Sequence, residues 1–366
     1  MPSLVANTVS SALAALGAEA RVGNSSWRRQ RLLVLCWHGI SSDDEHLWRP
    51  GLYIPPQLFR RRLEVLAELG CSVLSLDDAL VRLWAGDLPP RSVVITFDDG
   101  FNDFATQAMP ILKEFGFPAT LYLTTYHVDD QHPLYNLTVS YLLWKSQGPG
   151  RRLSDGTPIG NQVEAELAGQ AMVRDAIAEG LTTAEKDNRA RELAGFLGHD
   201  YNEFRRRRTL CLVTADQVRD AATSSITIEA HTHRHRTPDD LDLMTRELRD
   251  NIKRIHEITG RRPVHFCYPS GVFNANYFPL LEQEGFRSAT TCERALATRT
   301  GHRYTIPRWL DRQEETESQY RGWLSGLRPL VERSPVALSM RYWASPRPAP
   351  APVSTEIRSL QKNYRE

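Results

Sequence analysis

The stretch ITFDDG, residues 95–100, joins the end of an apolar, β-branched run to two adjacent carboxylates and a glycine. The run predicts a buried strand, and the glycine predicts a turn directly after it. Because neighbouring carboxylates repel each other, a purely structural role for both Asp98 and Asp99 is a poor explanation. A metal ion that binds one carboxylate and leaves the other free to act as a base accounts for the pair.

Nitrogen ligands for such a metal occur in the segment AHTHRH, residues 230–235. His231 and His235 are four residues apart, so on one turn of helix they would face the same way. Two imidazoles and one carboxylate make a three-ligand site with open positions for water and substrate, which is typical of catalytic zinc. His233 would face away on that turn, and we expect it to be a surface histidine.

Strand and helix patterns alternate along the chain and predict an α/β fold with a parallel sheet. Seven strand candidates begin near residues 32, 72, 92, 119, 226, 264 and 288. Just past the ends of these strands lie the candidate functional residues His38, Asp98, Asp99, His231 and Pro269. Barrel enzymes assemble their active sites from the loops at that end of the strands.

One long stretch interrupts the alternation. Residues 126–213 carry no strand pattern but contain amphipathic helical segments, so we expect a mostly helical insertion. The predicted organisation is an N-terminal extension at 1–30, the α/β domain at 31–312, and a C-terminal helix with a Pro-rich tail at 313–366.

The composition argues against several classes of protein. A net charge of +1 provides no general basic field for nucleic acid. No run of about 18 apolar residues predicts a transmembrane helix, and the first residues lack the pattern of a signal peptide. Five scattered cysteines indicate no disulfide framework. We therefore expect a cytoplasmic protein, and no sequence feature indicates its oligomeric state.

Together, the TFDDG and HTxxH segments resemble the first two motifs of the polysaccharide deacetylases, the NodB-homology group of carbohydrate esterase family 4. Residues 266–271, FCYPSG, resemble the third motif, and the likeness extends from about Leu33 to Arg308. The first two motifs are specific only as a pair. The resemblance implies a distorted seven-stranded (β/α) barrel, a carbohydrate substrate and a divalent metal, with Zn²⁺ as the first choice.

The resemblance also implies roles for individual residues. It places Asp98 as the general base that takes a proton from water. It gives the metal ligands as Asp99, His231 and His235. It assigns the oxyanion and substrate contacts to the third motif, at Tyr268, Pro269 and the backbone N–H of Ser270.

The chain departs from the family pattern at several positions. Cys267 stands where the third motif has an arginine, Ser270 stands where it has a tyrosine, and the late Asp-x-x-x-Trp and Leu-x-His motifs are not clearly present. We predict that Arg308 replaces the missing guanidinium from another loop. The departing amine needs a general acid, and His38 is the leading candidate, ahead of His302.

Three functions fit these residues. The first is a metal-dependent hydrolase that removes an N-acetyl group from an amino sugar of a polysaccharide or of its lipid- or nucleotide-linked precursor. The second is a deformylase or small-molecule amidohydrolase that uses the same site. The third is a degraded, non-catalytic barrel that binds glycan. The intact base and ligand set favour an enzyme that hydrolyses non-peptide carbon–nitrogen bonds, and the first function in particular.

Overall fold

The computed structural model describes residues 17–128 and 132–332. In these ranges the strands are β1 (Arg31–Trp37), β2 (Gly39–Ile40), β3 (Tyr53–Ile54), β4 (Ser72–Leu74), β5 (Ser92–Phe97), β6 (Ala119–Leu123), β7 (Ile226–Ala230), β8 (His265–Cys267), β9 (Ser288–Thr290), β10 (Ala297–Thr298) and β11 (Trp309–Leu310). The predicted Pro-rich tail lies outside the described residues.

The helices of the same ranges are α1 (Ala18–Gly23), α2 (Ser26–Arg29), α3 (Glu45–Trp48), α4 (Pro56–Glu68), α5 (Leu76–Ala85), α6 (Met109–Phe115), α7 (Tyr135–Lys145), α8 (Gln162–Ala178), α9 (Thr183–Leu197), α10 (Tyr201–Arg206), α11 (Ala215–Ala222), α12 (Leu241–Thr259), α13 (Phe278–Gln283), α14 (Glu317–Ser325) and α15 (Leu327–Glu332). A π-helical turn at Phe104–Ala108 leads into α6, and short 3₁₀ turns follow β8.

The main sheet is parallel, as the alternating pattern predicts. Strand β1 pairs with β5, and the order then runs through β6, β7, β8 and β9. Strand β4 pairs with the first three residues of β5 on the edge away from β1. The exception is β10, which is antiparallel to the start of β1.

The sheet curls, and residues 303–310 span the gap between β9 and β1. The amide of Ala289 donates to the carbonyl of Arg303, and the amide of Ile306 donates to the carbonyl of Ala289, both at 2.9 Å. Further along the same segment, β11 pairs with β1. The predicted distorted seven-stranded barrel is confirmed, with β11 rather than β4 as its seventh strand. Pro307 interrupts this segment, which is why its sequence does not read as a strand.

Alternation along the strands decides which side chains reach the barrel interior. In β5 the side chains of Val93, Ile95 and Phe97 pack with the outer helices, whereas Val94 packs in a separate inner cluster with residues of β1 and β8. Successive strand residues point to opposite faces. Thr96 therefore shares the inner face with Val94, and Asp98 follows it at the end of the strand.

The helical insertion is confirmed between β6 and β7. Helices α7 to α10 lie there and have a hydrophobic cluster of their own, which includes Val139, Leu143 and Leu193. Tyr320, Trp323 and Leu324 of α14 join the main core, and the buried Arg28 donates to the carbonyls of Leu324 and Ser92. No helix of the described ranges is long and apolar enough to cross a membrane.

A buried ion pair fixes the chain that follows β11. Arg62 of α4 donates to Asp311 at 2.8 Å, and the indole of Trp37 donates to the same carboxylate oxygen at 3.1 Å. The side chains of Arg62 and Asp311 are 1% and 0% exposed. Burial raises the pKa of Asp311 to about 6 although Arg62 and Trp37 oppose that shift. The pair therefore joins β1 and α4 to the chain directly after residues 303–310, the closing segment of the barrel.

We expect Arg62→Met to lower the free energy of unfolding by about 3–5 kcal/mol, because it leaves a buried carboxylate without its charge partner. Urea unfolding at neutral pH measures the loss. Arg60→Met is the matched control on the same helix, since Arg60 pairs with Glu114 at an exposed position and such pairs contribute about 0–1 kcal/mol. Equal losses in the two variants would contradict a special role for the buried pair.

Candidate active site

The two carboxylates at the end of β5 point to different neighbours. Asp98 continues the inner face of the strand and is 2% exposed. Asp99 has a φ of +69°, and the amide of Gly100 closes a tight turn on the carbonyl of Asp98 at 2.8 Å. A left-handed residue other than glycine costs roughly 1–2 kcal/mol. That backbone turn sends the Asp99 side chain towards the loop after β7.

Asp99 meets both predicted imidazole ligands. Its Oδ1 atom lies 3.2 Å from Nε2 of His231 and 3.0 Å from Nε2 of His235. This oxygen is buried, yet it has no partner with hydrogen-bond geometry among the described residues. One carboxylate oxygen and two imidazole nitrogens that lie this close without hydrogen bonds between them are suited to binding one cation together. The His235 side chain is 41% exposed, so one side of the group faces solvent.

The loop that carries the two histidines is not helical, so the predicted helical turn is wrong. Thr232 and His235 have φ values of +61° and +54°, and these left-handed residues bring the imidazoles together instead. The Nδ1 atom of His231 lies 2.8 Å from the carbonyl of Cys267. Donation from Nδ1 leaves Nε2 free to face Asp99.

Helix α12 supports this loop through two polar residues one turn apart. The side-chain oxygen of Asn251 accepts from the amide of His231 at 3.0 Å, and its amide group donates to the carbonyl of Leu123 and the hydroxyl of Thr125. Asn251 is fully buried. It therefore ties the start of the loop after β7 (residues 231–236, called the ligand loop after its two predicted ligands) to the end of β6.

Glu247 holds the second half of the loop. Its carboxylate accepts from the amide of Arg234 at 2.7 Å and from the guanidinium groups of Arg234 and Arg236 at 3.0 and 2.7 Å. Sequence reasoning missed Glu247 and Asn251. The available signal was that both are polar residues on the helix face formed by Met244, Leu248 and Ile255, which is otherwise apolar.

Arg308 clamps Asp98. Its two terminal nitrogens donate to the two carboxylate oxygens at 2.6 and 2.7 Å, and its Nε atom donates to the carbonyl of Thr291. Burial alone would raise the pKa of Asp98, but the charge and hydrogen bonds of Arg308 hold it well below its usual range. The structure thus brings Arg308 to the carboxylate from the closing segment, beside the cysteine that occupies the third-motif position.

Thiols surround the same carboxylate. The sulfur atoms of Cys36 and Cys267 lie 3.5 and 3.6 Å from Oδ2 of Asp98, and Cys267 lies 3.0 Å from the Arg308 guanidinium. Asp98, His231 and Cys267 also form a close group of potential ligands. Burial raises the pKa of the Cys267 thiol well above its usual value, and Arg308 already occupies Asp98. This second group is therefore less suited to a cation than Asp99 with its two histidines.

His38, at the end of β1, lies beside Asp98. Its Nε2 atom is 3.8 Å from Oδ2 of Asp98, and its Nδ1 atom is buried without a hydrogen-bond partner in the described ranges. Burial lowers the pKa of His38, and the neighbouring carboxylates of Asp99 and Asp98 oppose that shift. His302 instead stacks on Phe278, with ring centroids 4.5 Å apart.

Other expectations for the site need correction. Tyr268 is 0% exposed and packs against Phe266 and Phe273, which argues against a substrate contact by its side chain. Pro269 is also buried, whereas Ser270 is exposed with a φ of +57°. His233 is not a free surface residue, because its ring bonds to the hydroxyl of Thr125 at 2.8 Å.

The arrangement gives the two carboxylates different chemical surroundings. Asp99 faces two imidazole nitrogens and a solvent-exposed opening, so it can take part in holding a divalent cation. Asp98 faces the guanidinium of Arg308 and remains ionised beside the place where the cation would bind. A cation next to a separate, ionised carboxylate is suited to hydrolysis, because a bound metal lowers the pKa of water and the carboxylate can accept the proton.

Comparisons with known proteins agree with this geometry. The family model described as polysaccharide deacetylase matches residues 85–289, more than half of the chain. YxkH of Bacillus subtilis (strain 168), named as a polysaccharide deacetylase, is 30% identical over 105 residues, which are 28% of this chain and 36% of that protein. The poly-beta-1,6-N-acetyl-D-glucosamine N-deacetylase of Escherichia coli (strain K12) is 28% identical over 102 residues, 28% of this chain and 15% of that protein. The chain thus aligns with about a third or less of these relatives.

Solved structures share the fold over a longer range. The deacetylase PplD of Streptococcus pyogenes superposes with a TM-score of 0.54 at 17% identity, over 79% of this chain and 96% of that one. IcaB of Ammonifex degensii gives a TM-score of 0.53 at 17% identity, over 81% and 97% of the two chains. Given the barrel, the grouped motif residues and a family match across more than half of its length, the chain belongs to the polysaccharide deacetylase family.

Proposed function

We propose that this protein is a metal-dependent hydrolase that removes the N-acetyl group from an amino sugar of a polysaccharide or of its lipid- or nucleotide-linked precursor. One observation carries the proposal: an orphaned carboxylate oxygen of Asp99 lies between two imidazole nitrogens, next to a second carboxylate that Arg308 keeps ionised. The named activity of the E. coli relative favours N-acetylglucosamine units as the substrate.

Asp99, His231 and His235 are the residues that would hold the metal. Two nitrogens and one oxygen suit Zn²⁺, which catalytic sites bind through three protein ligands with one position left open. When bound there, the ion would lower the pKa of water and polarise the substrate carbonyl. The exposed side of His235 is where the substrate amide would approach.

Asp98 would take the proton from the attacking water. Its pKa is held low, so it is ionised at neutral pH and passes a captured proton on readily. The bidentate contact with Arg308 fixes the plane of the carboxylate and leaves it no freedom to rotate towards the ligand loop. Arg308 therefore acts on orientation and charge together.

His38 and Ser270 would complete the reaction. His38 lies within 3.8 Å of Asp98 and would deliver the proton that the departing amine needs. The exposed, left-handed turn at Ser270 would direct a backbone N–H towards the developing oxyanion. Neither step needs the side chain of Tyr268.

The alternative functions lack a supporting observation. A glycan-binding barrel without activity has no use for a buried arginine that keeps a carboxylate ionised beside a ligand group. A deformylase or small-molecule amidohydrolase would use the same residues, and only the shape of the surrounding pocket distinguishes it. The match to polysaccharide deacetylases favours a sugar amide.

Metal content tests the ligand assignment. We expect the purified protein to hold about one zinc ion, since three protein ligands define one site, and Asp99→Ala and His235→Ala to lose it. Elemental analysis after dialysis measures this, together with acetate release from N-acetylated oligosaccharides. His256→Ala, at an exposed position of α12, is the control that retains metal and activity. Full metal content in both ligand variants would refute the assignment.

Removing the guanidinium of Arg308, or placing one at position 267 instead, tests whether Arg308 orients Asp98. Arg308→Ala should lower kcat about 10²–10⁴-fold, the usual contribution of a general base, because Asp98 loses its orientation. Arg308→Lys should restore little, since an ammonium group cannot make the bidentate contact. The variant that combines Arg308→Ala with Cys267→Arg places an arginine at the usual third-motif position and should recover part of the activity.

The matched measurement is the ratio of kcat between the combined variant and Arg308→Ala alone, at equal metal content. A combined variant no more active than the single one, although folded by circular dichroism, would show that Arg308 does not act through the Asp98 carboxylate.

A pH profile tests His38. Activity needs protonated His38, so kcat should fall as the pH rises through the pKa of this residue, which burial lowers. In His38→Ala we expect kcat to drop about 10²–10⁴-fold and the descending limb of the profile to disappear. His38→Ala with retained metal and an unchanged profile would remove His38 from the mechanism.

A further inference from the structure

Two free thiols contact the guanidinium of Arg308. Its Nη2 atom lies 3.0 Å from the sulfur of Cys267 and 3.8 Å from the sulfur of Cys292. Since both sulfurs contact one nitrogen atom, they are neighbours in space, although Cys267 ends β8 and Cys292 lies in the loop after β9. The roles assigned to the site residues so far use neither thiol.

The two thiols differ in their access to solvent. Cys267 is fully buried, whereas Cys292 is exposed, so a dissolved reagent reaches Cys292 first. Burial raises the pKa of the Cys292 thiol, and the charge of Arg308 opposes that shift. The thiol is therefore mainly protonated at neutral pH. Because the thiolate is the more reactive form, an excess of reagent is needed to modify Cys292.

Packing holds the Cys292 side chain against the turn that follows Cys267. This turn closes where the amide of Gly271 donates to the carbonyl of Tyr268 at 2.9 Å. Gly271 leaves no space on its side of the contact, because a Cβ atom added there would lie 2.7 Å from Cβ of Cys292 and 3.0 Å from its sulfur. The register of β8 and β9 also pairs Cys267 with Thr290, only two residues before Cys292.

Cys292 lies between the two residues whose carbonyls hold Arg308. The carbonyl of Thr291 accepts from Nε of Arg308 at 3.0 Å, and the carbonyl of Glu293 accepts from its backbone amide at 3.1 Å. A movement of Cys292 towards Cys267 therefore shifts both acceptors. The bidentate contact between Arg308 and Asp98 depends on the position of this loop.

We propose that Cys267 and Cys292 form an oxidative modification site, at which a peroxide joins the two sulfurs in a disulfide bond and inactivates the enzyme. In the first step, hydrogen peroxide transfers one oxygen to the Cys292 thiol, which gives a sulfenic acid and one water molecule. The sulfur of Cys267 then attacks the oxidised sulfur. The S–S bond forms as the hydroxyl group leaves with the Cys267 thiol proton, as a second water molecule.

The bond would withdraw Arg308 from the proposed base. To bond to each other, the two sulfurs must leave their present positions beside Nη2, and Cys292 carries the carbonyls of Thr291 and Glu293 with it. Asp98 then loses its oriented partner. A dithiol reverses the change by reducing the disulfide. The effect on turnover rests on the proposed function, whereas formation of the bond does not.

Peptide mapping tests the bond directly. The purified full chain is treated with excess hydrogen peroxide, its remaining thiols are alkylated, and its tryptic peptides are analysed by mass spectrometry without reductant. We expect peptides joined through Cys267 and Cys292, which separate after treatment with dithiothreitol. The joined peptides should be absent from Cys292→Ser. They should persist in the matched control Cys71→Ser, which removes another partly accessible thiol.

Turnover measures the consequence. The fully cross-linked parent should show a kcat about 10²–10⁴-fold below that of the reduced parent, because its general base is no longer oriented, and dithiothreitol should restore it. The ratio of kcat before and after peroxide should stay near one in Cys292→Ser. That comparison separates the disulfide from oxidation elsewhere in the chain.

The outcomes separate this inference from the proposed function. Loss of activity with Cys292 unlinked, or with Cys267 joined to Cys36 instead, would overturn the pairing. A bond between Cys267 and Cys292 that leaves kcat unchanged would overturn the inactivation. A reduced parent that releases no acetate from any N-acetylated saccharide would refute the proposed function, and the peptide map would still decide whether the bond forms.

Discussion

The buried ion pair between Asp98 and Arg308 is the contact on which the site and the barrel both depend. Each side chain is at most 2% exposed, and an ion at such a position costs several kcal/mol of desolvation unless a partner compensates it. Arg308 belongs to the segment that fills the gap between β9 and β1. The same contact therefore balances the charge of the proposed base and holds the last part of the barrel in place.

The group formed by Asp99, His231 and His235 depends on something else, namely an unfavourable backbone conformation that buried polar side chains hold in place. Asp99, Thr232 and His235 all have left-handed φ values, and such strain persists only where the surroundings over-determine it. Asn251 and Glu247 supply that support from α12 with hydrogen bonds to the backbone of the ligand loop. The site is pre-arranged because a regular helix carries the groups that fix an irregular loop.

The sequence predicts much of this site because several of its parts are local. Asp98 and Asp99 follow a strand whose period of two is visible in the residues themselves, and the histidine spacing is specific in combination with them. Arg308 was predicted because Cys267 leaves a guanidinium missing, although its role as a positioning group stays a proposal. The closing strand was not predicted, because Pro307 masks its pattern and its partners are distant in sequence.

Placing the guanidinium on the closing segment rather than on β8 changes when the enzyme becomes competent during folding. Asp99, His231 and His235, together with the residues of α12 and β8 that orient the two histidines, are all present once β8 has been synthesised, so this group is able to form on a partly built sheet. The base acquires its partner only after residue 308 has emerged and the segment has docked beside β1. The ability to bind a cation and the orientation of the proposed base would thus appear one after the other. A barrel whose last segment is missing or undocked would bind the cation but would not hydrolyse substrate.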